Sequence, residues 1–271
     1  MHPLLFADDA SFISSHKNLE TLISYINEQL IRVGDWCTTN KFTIHVDKTV
    51  MMKVTNKKSE NNIDIVQMSG CEVNFSEDCT FLGVKIDNNL NFANHISYIK
   101  NKIAKSTGIL YKIQKLLSHD AKLNYYFSFV YPYLSYNIII WGGTSPTHLQ
   151  PLIIQQKKII RIISGASYLA HTRPLFHKLK LLKLTDIHKF LVAVYMFNEQ
   201  SNETFSVPHS INTRYRNNLT PKFHRLSRCQ QAISYIGPSI WNQIPLIIRQ
   251  ISDLKLFKRT LKSYYIDQYC T

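Results

Sequence analysis

Asp8 and Asp9 stand side by side between the apolar runs Leu4-Leu5-Phe6 and Phe12-Ile13. Two carboxylates at a hairpin tip can hold divalent metal, because hard oxygen donors are what magnesium selects. Such a site activates an attacking hydroxyl and stabilises a leaving phosphate in an in-line displacement. Asp-Asp is also ordinary turn chemistry between two strands. Lys48, in Asp47-Lys48-Thr49, is a long cation able to neutralise or protonate a pyrophosphate leaving group; its plainer reading is a surface lysine after a turn. No zinc site is predicted. Cys37, Cys71, Cys79, Cys229 and Cys270 form no C-x-x-C pair, and His45, His95, His119, His171, His177 and His224 form neither H-E-x-x-H nor a Cys/His cluster.

Charge adds a second chemistry. The chain carries a net +14, unevenly spread: residues 1–90 hold 8 Lys/Arg against 12 Asp/Glu, a net −4, and residues 91–271 hold 24 against 6, a net +18. A basic surface of that kind points to a polyanion held by the later part of the chain, and a nucleic-acid backbone is the expected one. Lys100, Lys102, Lys105, Lys112 and Lys115 lie on or beside one helix whose other face is apolar, with no acidic residue between Leu90 and His119. A solvated charged face explains them as well as a phosphate-facing one. Tyr98 and Tyr111 suit core packing or base stacking. A further helix carries Lys157, Lys158 and Arg161 on a basic face.

Elements must position these groups. After the acidic hairpin, Leu19, Leu22, Ile23, Ile26, Leu30, Val33 and Trp36 recur at helical spacing and predict one amphipathic helix ending near Asn40. Strands are predicted at Phe42 to His45, Val50 to Val54, Ile63 to Met68 and Cys79 to Ile86, with an exposed hairpin loop over Asn56 to Asn62. From Leu90 the period is helical. Ile96, Ile99, Ile103, Leu110, Ile113 and Leu117 form one stripe; Leu123 to Trp141 reads as a second helix, and Leu149 to Ile163 as a third that stops at Gly165. Two more follow, near Pro174 to Leu182 and Thr185 to Asn198. Then come a polar linker and a small helical end containing Ile240-Trp241-Asn242 and Leu254 to Tyr265. Leu123 to Gln156 lacks Lys, Arg, Asp and Glu, yet Ser128, Pro132, Ser135 and Asn137 interrupt it, so a buried Tyr-rich helix pair is predicted and no membrane span. An odd cysteine count without a signal peptide fits free thiols in a reducing, intracellular compartment.

The order of the segments carries a resemblance. Phe6-Ala7-Asp8-Asp9, one helix, Trp36…Asn40…Lys48-Thr49, Phe81-Leu82-Gly83 and then basic helices follow one another. Further on stand Tyr131-Pro132-Tyr133-Leu134, Trp141-Gly142, Gln156-Lys157-Lys158, Thr172-Arg173-Pro174, and Gly237-Pro238-Ser239-Ile240-Trp241-Asn242 with Phe257-Lys258. In this the chain resembles the reverse transcriptases of jockey-like non-LTR retrotransposons, over nearly its whole length. The resemblance implies an α+β fold: a truncated polymerase palm of small antiparallel sheet plus helix over 1–90, a basic helical thumb or connector over 91–200, a polar linker over 201–230 and a small C-terminal helical unit over 231–271. It implies Asp8 and Asp9 as catalytic metal ligands for Mg2+, Lys48 near the incoming triphosphate, and Phe81, Leu82 and Gly83 as a primer-gripping strand. Lys100, Lys105, Lys112, Lys157, Lys158 and Arg161 are expected to contact nucleic acid. Partners implied are an RNA template, a DNA primer and dNTPs, with nuclear residence the family expectation.

The same resemblance implies a further aspartate on a strand ahead of the hairpin, together with polymerase fingers. Neither precedes Met1 in this sequence, so the expectation is a polymerase fragment inactive alone. The alternatives are a non-catalytic nucleic acid-binding module and an inert relic of a transposable element.

Overall fold

The computed structural model describes residues 1–55, 65–68, 70–199, 218–226 and 228–270. They fall into two compact units, Met1–Leu90 and Asn91–Thr271. The loop expected over Asn56 to Asn62 and much of the linker over 201–230 lie outside the described residues.

In the first unit, β1 (His2–Phe6) and β2 (Asp9–Ile13) form an antiparallel hairpin with Phe6 opposite Asp9. Because that pair closes a two-residue loop, it exchanges ladder hydrogen bonds, as do Leu4↔Ser11 and His2↔Ile13. Pro3, opposite Phe12, therefore faces the outer edge of β1, where its missing N–H breaks no bond.

Helix α1 (Leu19–Thr39) starts where the Asn18 side chain accepts a hydrogen bond from the Thr21 N–H at 3.3 Å. Its stripe of Leu19, Ile23, Ile26, Leu30 and Val33 covers a small sheet whose core residues are Val66, Met68 and Val73. That sheet has β5 (Cys71–Phe75) at its centre, with β3 (Val50–Met51) parallel on one side and β4 (Val66–Met68) antiparallel on the other. The small antiparallel sheet expected from the sequence is thus a mixed one. Asn27 extends the ladder from the helix, since its amide donates to the Ile65 carbonyl at 3.3 Å and accepts from the Gln67 N–H at 3.0 Å.

Phe42 to His45 is not a strand. Lys41 takes φ +60°, the Phe42 N–H bonds the Cys37 carbonyl at 2.8 Å, and Phe42 stacks on Trp36 with centroids 5.6 Å apart. This is a Schellman helix stop with its apolar contact, so the segment folds back on the helix instead of extending. Val50 to Val54 pairs only at its first two residues. Cys79 to Ile86 is a hairpin, β6 (Asp78–Phe81) and β7 (Val84–Asp87), because Leu82 and Gly83 both take positive φ, +45° and +77°. Two such residues in a two-residue loop make a type I′ turn.

The second unit is helical: α2 (Ala93–Ile113), α3 (His119–Phe129), α4 (Tyr131–Ser135), α5 (Ile138–Trp141), α6 (Pro146–Ser164), α7 (Thr172–Leu179), α8 (Leu184–Asn198), α9 (Ile233–Gln243), α10 (Leu246–Arg249) and α11 (Leu254–Asp267). The single helix expected over Leu123 to Trp141 is three. Pro132 has no N–H to continue the ladder, and Asn137 takes φ +48°. Its Tyr126, Leu134, Ile138 and Trp141 are fully buried all the same. Among the described residues, no helix is long and apolar enough to cross a membrane. The C-terminal helices pack on the same core: Phe257 of α11 stacks with Phe197 at 4.6 Å and lies 5.8 Å from Trp241 of α9. Tyr269 then closes the end, donating to the Asp186 carboxylate and accepting from the Lys183 N–H at 3.1 Å.

Gly142 ends α5 against α8. A Cβ there would stand 2.5 Å from the Ile138 carbonyl and 2.6 Å from the His188 ring, so no larger residue fits without moving His188. Burial pushes the His188 imidazole down from 6.5 to about 4, with Lys189 adding to the shift, and its Nε2 is buried without a hydrogen-bond partner. A histidine held neutral in the fold charges on unfolding below its ordinary pKa. The unfolded state therefore binds the extra proton between about pH 6.5 and 4. Stability of the helical unit should fall by on the order of 2 kcal/mol across that window, and His188→Gln should flatten this part of a pH series of urea-unfolding curves.

Candidate functional site

The acidic site is built from the tip of the β1–β2 hairpin. Ala7 takes φ +52°, which reverses the chain in two residues and leaves Asp8 and Asp9 next to each other at the end of the ribbon. Both carboxylates are exposed and, among the described residues, make no ion pair or hydrogen bond. They suit a hard cation by donor type: oxygen ligands, charged and solvent-facing. Among the described residues no group of three or more His, Cys, Asp or Glu side chains is assembled, so the pair makes a partial donor set. The hairpin that carries it is bare. Leu5 is 74% and Phe6 62% exposed, and among the described residues no third strand joins β1 and β2.

Lys48 closes a 3₁₀ turn, Val46–Lys48, that leads into β3. Its side chain is exposed and makes no ion pair with Asp8 or Asp9, which sit on a separate sheet. Phe81, Leu82 and Gly83 are brought together, but at a hairpin tip: Phe81 ends β6, and Leu82 and Gly83 are the turn, with Gly83 exposed. The expected gripping strand is thus a turn whose backbone is open to close approach.

The cations singled out from the sequence lie on separate surfaces of the helical unit. At 3.6 residues per turn, Lys102, Lys105 and Lys112 fall on the outer face of α2, all exposed. Tyr98 shares that face, with the Lys102 ammonium 5.4 Å from its ring centroid. Lys115 lies past the helix end. Lys100 is on the flank toward α6, and there it lines a groove of about 840 Å³ with Pro146, Thr147, Gln150, Ile154 and Lys158. Two helices thereby contribute one lysine each to the lining of one open groove. Lys157, about a hundred degrees round α6, belongs to a third cluster. It lies near Lys183, whose ammonium is pulled down chiefly by burial and held up by Asp186, with Arg173 and Lys157 adding to the downward push. Lys183 also sits over the Tyr269 ring, 3.9 Å from its centroid.

Arg161 occupies the last turn of α6. Its Nε donates to the Ala170 carbonyl at 2.9 Å, and its guanidinium lies 5.9 Å from the centre of the Tyr168 ring. Charge and spacing flagged Lys100, Lys158 and Arg161, but not Thr147, Gln150 or Ile154, nor the loop residues Tyr168 and Leu169. The one available signal was two large apolar residues three and four positions past the helix-stopping Gly165.

The chain is 27% identical over 195 residues to the RNA-directed DNA polymerase from mobile element jockey of Drosophila melanogaster, which covers 70% of this chain and 21% of that protein. The corresponding polymerase of Drosophila funebris is 28% identical over 185 residues, 67% of this chain and 20% of the relative. A third relative, "Probable RNA-directed DNA polymerase from transposon X-element" of Drosophila melanogaster, is 28% identical over 149 residues, 54% and 15% of the two chains. The chain therefore spans about a fifth of the length of these two curated relatives from mobile element jockey. No family model and no solved structure matches.

Proposed function

We propose, for a chain that is a homologue of part of the RNA-directed DNA polymerases of non-LTR retrotransposons, that it supplies the metal-holding hairpin and a nucleic acid-gripping helical unit of such a polymerase. The observation that carries this reading is the pair Asp8 and Asp9, adjacent and exposed at a hairpin tip and, among the described residues, paired with no cation. Asp8 and Asp9 would hold magnesium, which when bound would supply Lewis acidity to a phosphoryl group. Lys48 holds the departing pyrophosphate and can return a proton to it. The Leu82-Gly83 turn lets a primer backbone come close, and the +18 of residues 91–271 neutralises template and primer phosphates. These roles make residues 1–90 palm-like and the helices after them thumb-like.

Metal binding gives a test that does not depend on turnover. Titration of the full chain with Mn2+, followed by loss of the free-ion electron paramagnetic resonance signal, should reveal a weak site. Two carboxylates and water hold such an ion less tightly than a full protein cage, so the dissociation constant should lie roughly in the 0.1 to 1 mM range. Asp8→Asn with Asp9→Asn should abolish it. Mn2+ binding that survives the double substitution would remove the hairpin from the proposal.

A second reading, a nucleic acid-binding module without catalysis, is favoured by the placement of the charge. The compact helical unit begins at Asn91, where the net charge of the chain turns from −4 to +18.

A further inference from the structure

The loop between α6 and α7 projects Tyr168 and Leu169, 73% and 85% exposed, from a surface that otherwise carries cations. We infer that this loop is a base-stacking element: Tyr168, with Leu169 beside it, packs against an unpaired or terminal base of a nucleic-acid strand whose phosphates follow the α2–α6 groove. The inference rests on the reading that the helical unit grips nucleic acid.

The loop is held, not loose. Gly165 takes φ +62° as the αL stop of α6, and the Ala166 N–H bonds the Arg161 carbonyl at 3.0 Å. The Ala170 N–H bonds the Ser167 carbonyl at 3.1 Å, and Arg161 ties the Ala170 carbonyl from the side at 2.9 Å. An exposed tyrosine presented by a braced turn loses little conformational entropy when something stacks on it. Arg161 brings charge to the same place: its guanidinium faces the Tyr168 ring, leaving donors to meet a phosphate next to the stacked base.

The groove leads to this loop. Pro151, Ile154, Gln155 and Lys158 line it at the i, i+3, i+4, i+7 spacing of one helix face, and Arg161 is the next step on that face. At 1.5 Å per residue, Gln150 to Arg161 spans about 16 Å. A strand rising about 3.4 Å per nucleotide in a duplex covers that length in roughly five nucleotides. Charge selects the occupant. From residue 121 to 185 the chain has no Asp or Glu, so no carboxylate of α6 or of the α6–α7 loop offsets Lys158 and Arg161. A protein partner matched to such a surface would have to be strongly acidic, whereas a nucleic acid offers the anions and the flat apolar bases together.

The test uses the full chain and a fluorescein-labelled twelve-nucleotide single strand, RNA or DNA, carrying one 5-iodouracil. Irradiation should crosslink Tyr168, located by mass spectrometry, because that base couples to an aromatic ring stacked on it. Tyr168→Ala with Leu169→Ser should weaken binding about ten-fold and remove the crosslink, while the slope of log K against log salt stays as in the parent. Tyr168→Phe should restore affinity. Both positions are exposed, so circular dichroism of the variants should match the parent. If the parent fails to bind at low salt, the nucleic-acid reading itself falls. If it binds, and the loop variant binds equally with the crosslink mapped elsewhere, the stacking inference is overturned. It is also overturned if the variant changes sedimentation of the protein alone and leaves binding untouched, since the loop is then a protein contact.

Discussion

Gln156→Ala is expected to destabilise the helical unit by about 4 kcal/mol. The side chain is 1% exposed and bonded at both ends: its amide nitrogen donates to the Tyr126 hydroxyl and the Leu182 carbonyl, each at 3.0 Å, and its oxygen accepts from the Leu184 N–H at 2.9 Å. It joins α6 to α3 and to the start of α8. Truncation leaves three polar groups stranded in a closed core, and a buried group without a partner costs about 1–3 kcal/mol. Gln156→Leu separates that cost from the cavity. It keeps the volume and still strands the partners, so it should lose about 3 kcal/mol. Urea unfolding followed by tryptophan emission is the measurement, since Trp141 and Trp241 are buried in this unit, at 0% and 4% exposure. A loss under about 1 kcal/mol in both variants would show that the network contributes little beyond packing.

Lys100→Glu with Lys158→Glu is expected to weaken nucleic-acid binding by roughly 100-fold at low salt, and to lower the slope of log K against log salt by about 2. These two lysines face one groove from different helices, so reversing both replaces two phosphate contacts with two repulsions. The control is Lys102→Glu with Lys105→Glu, the same charge change on the outer face of α2. If the charge acts only through its sum, the two pairs will weaken binding alike. If the groove is the track, the outer pair will do much less. Anisotropy of a labelled strand at about 50 and 200 mM salt separates these cases, because the electrostatic share shows in the slope.

Helices were legible because their apolar faces repeat at 3.6 residues: α1, α2, α6 and α8 lie where Ile and Leu spacing puts them. Strands were harder to read, and the reason is local. Phe42 to His45 has strand composition, but Lys41 adopts a left-handed conformation and turns the chain back on the helix. In Cys79 to Ile86 the turn was hidden because Leu82 occupies a left-handed position that composition would assign to Asn or Gly. Pro132 and Asn137 were visible as interruptions, yet burial of the segment suggested one continuous helix. At the site, Asp8 and Asp9 were recognisable by residue type alone. The groove was not. Lys100 and Lys158 are far apart in sequence, and only the packing of α2 on α6 makes them neighbours. Tyr168 and Leu169 lie between helices, where no periodicity marks a residue as outward-facing.

The proline in β1 has a consequence for assembly. Outward-facing positions on the two edges of the hairpin are Pro3 and Leu5 on one side and Ala10 and Phe12 on the other, so only the β2 edge offers an uninterrupted row of donors and acceptors. An added strand could complete a ladder at the β2 edge but not at the β1 edge, where Pro3 lacks a donor. Indefinite stacking into a fibre needs both edges open, and Pro3 closes one of them.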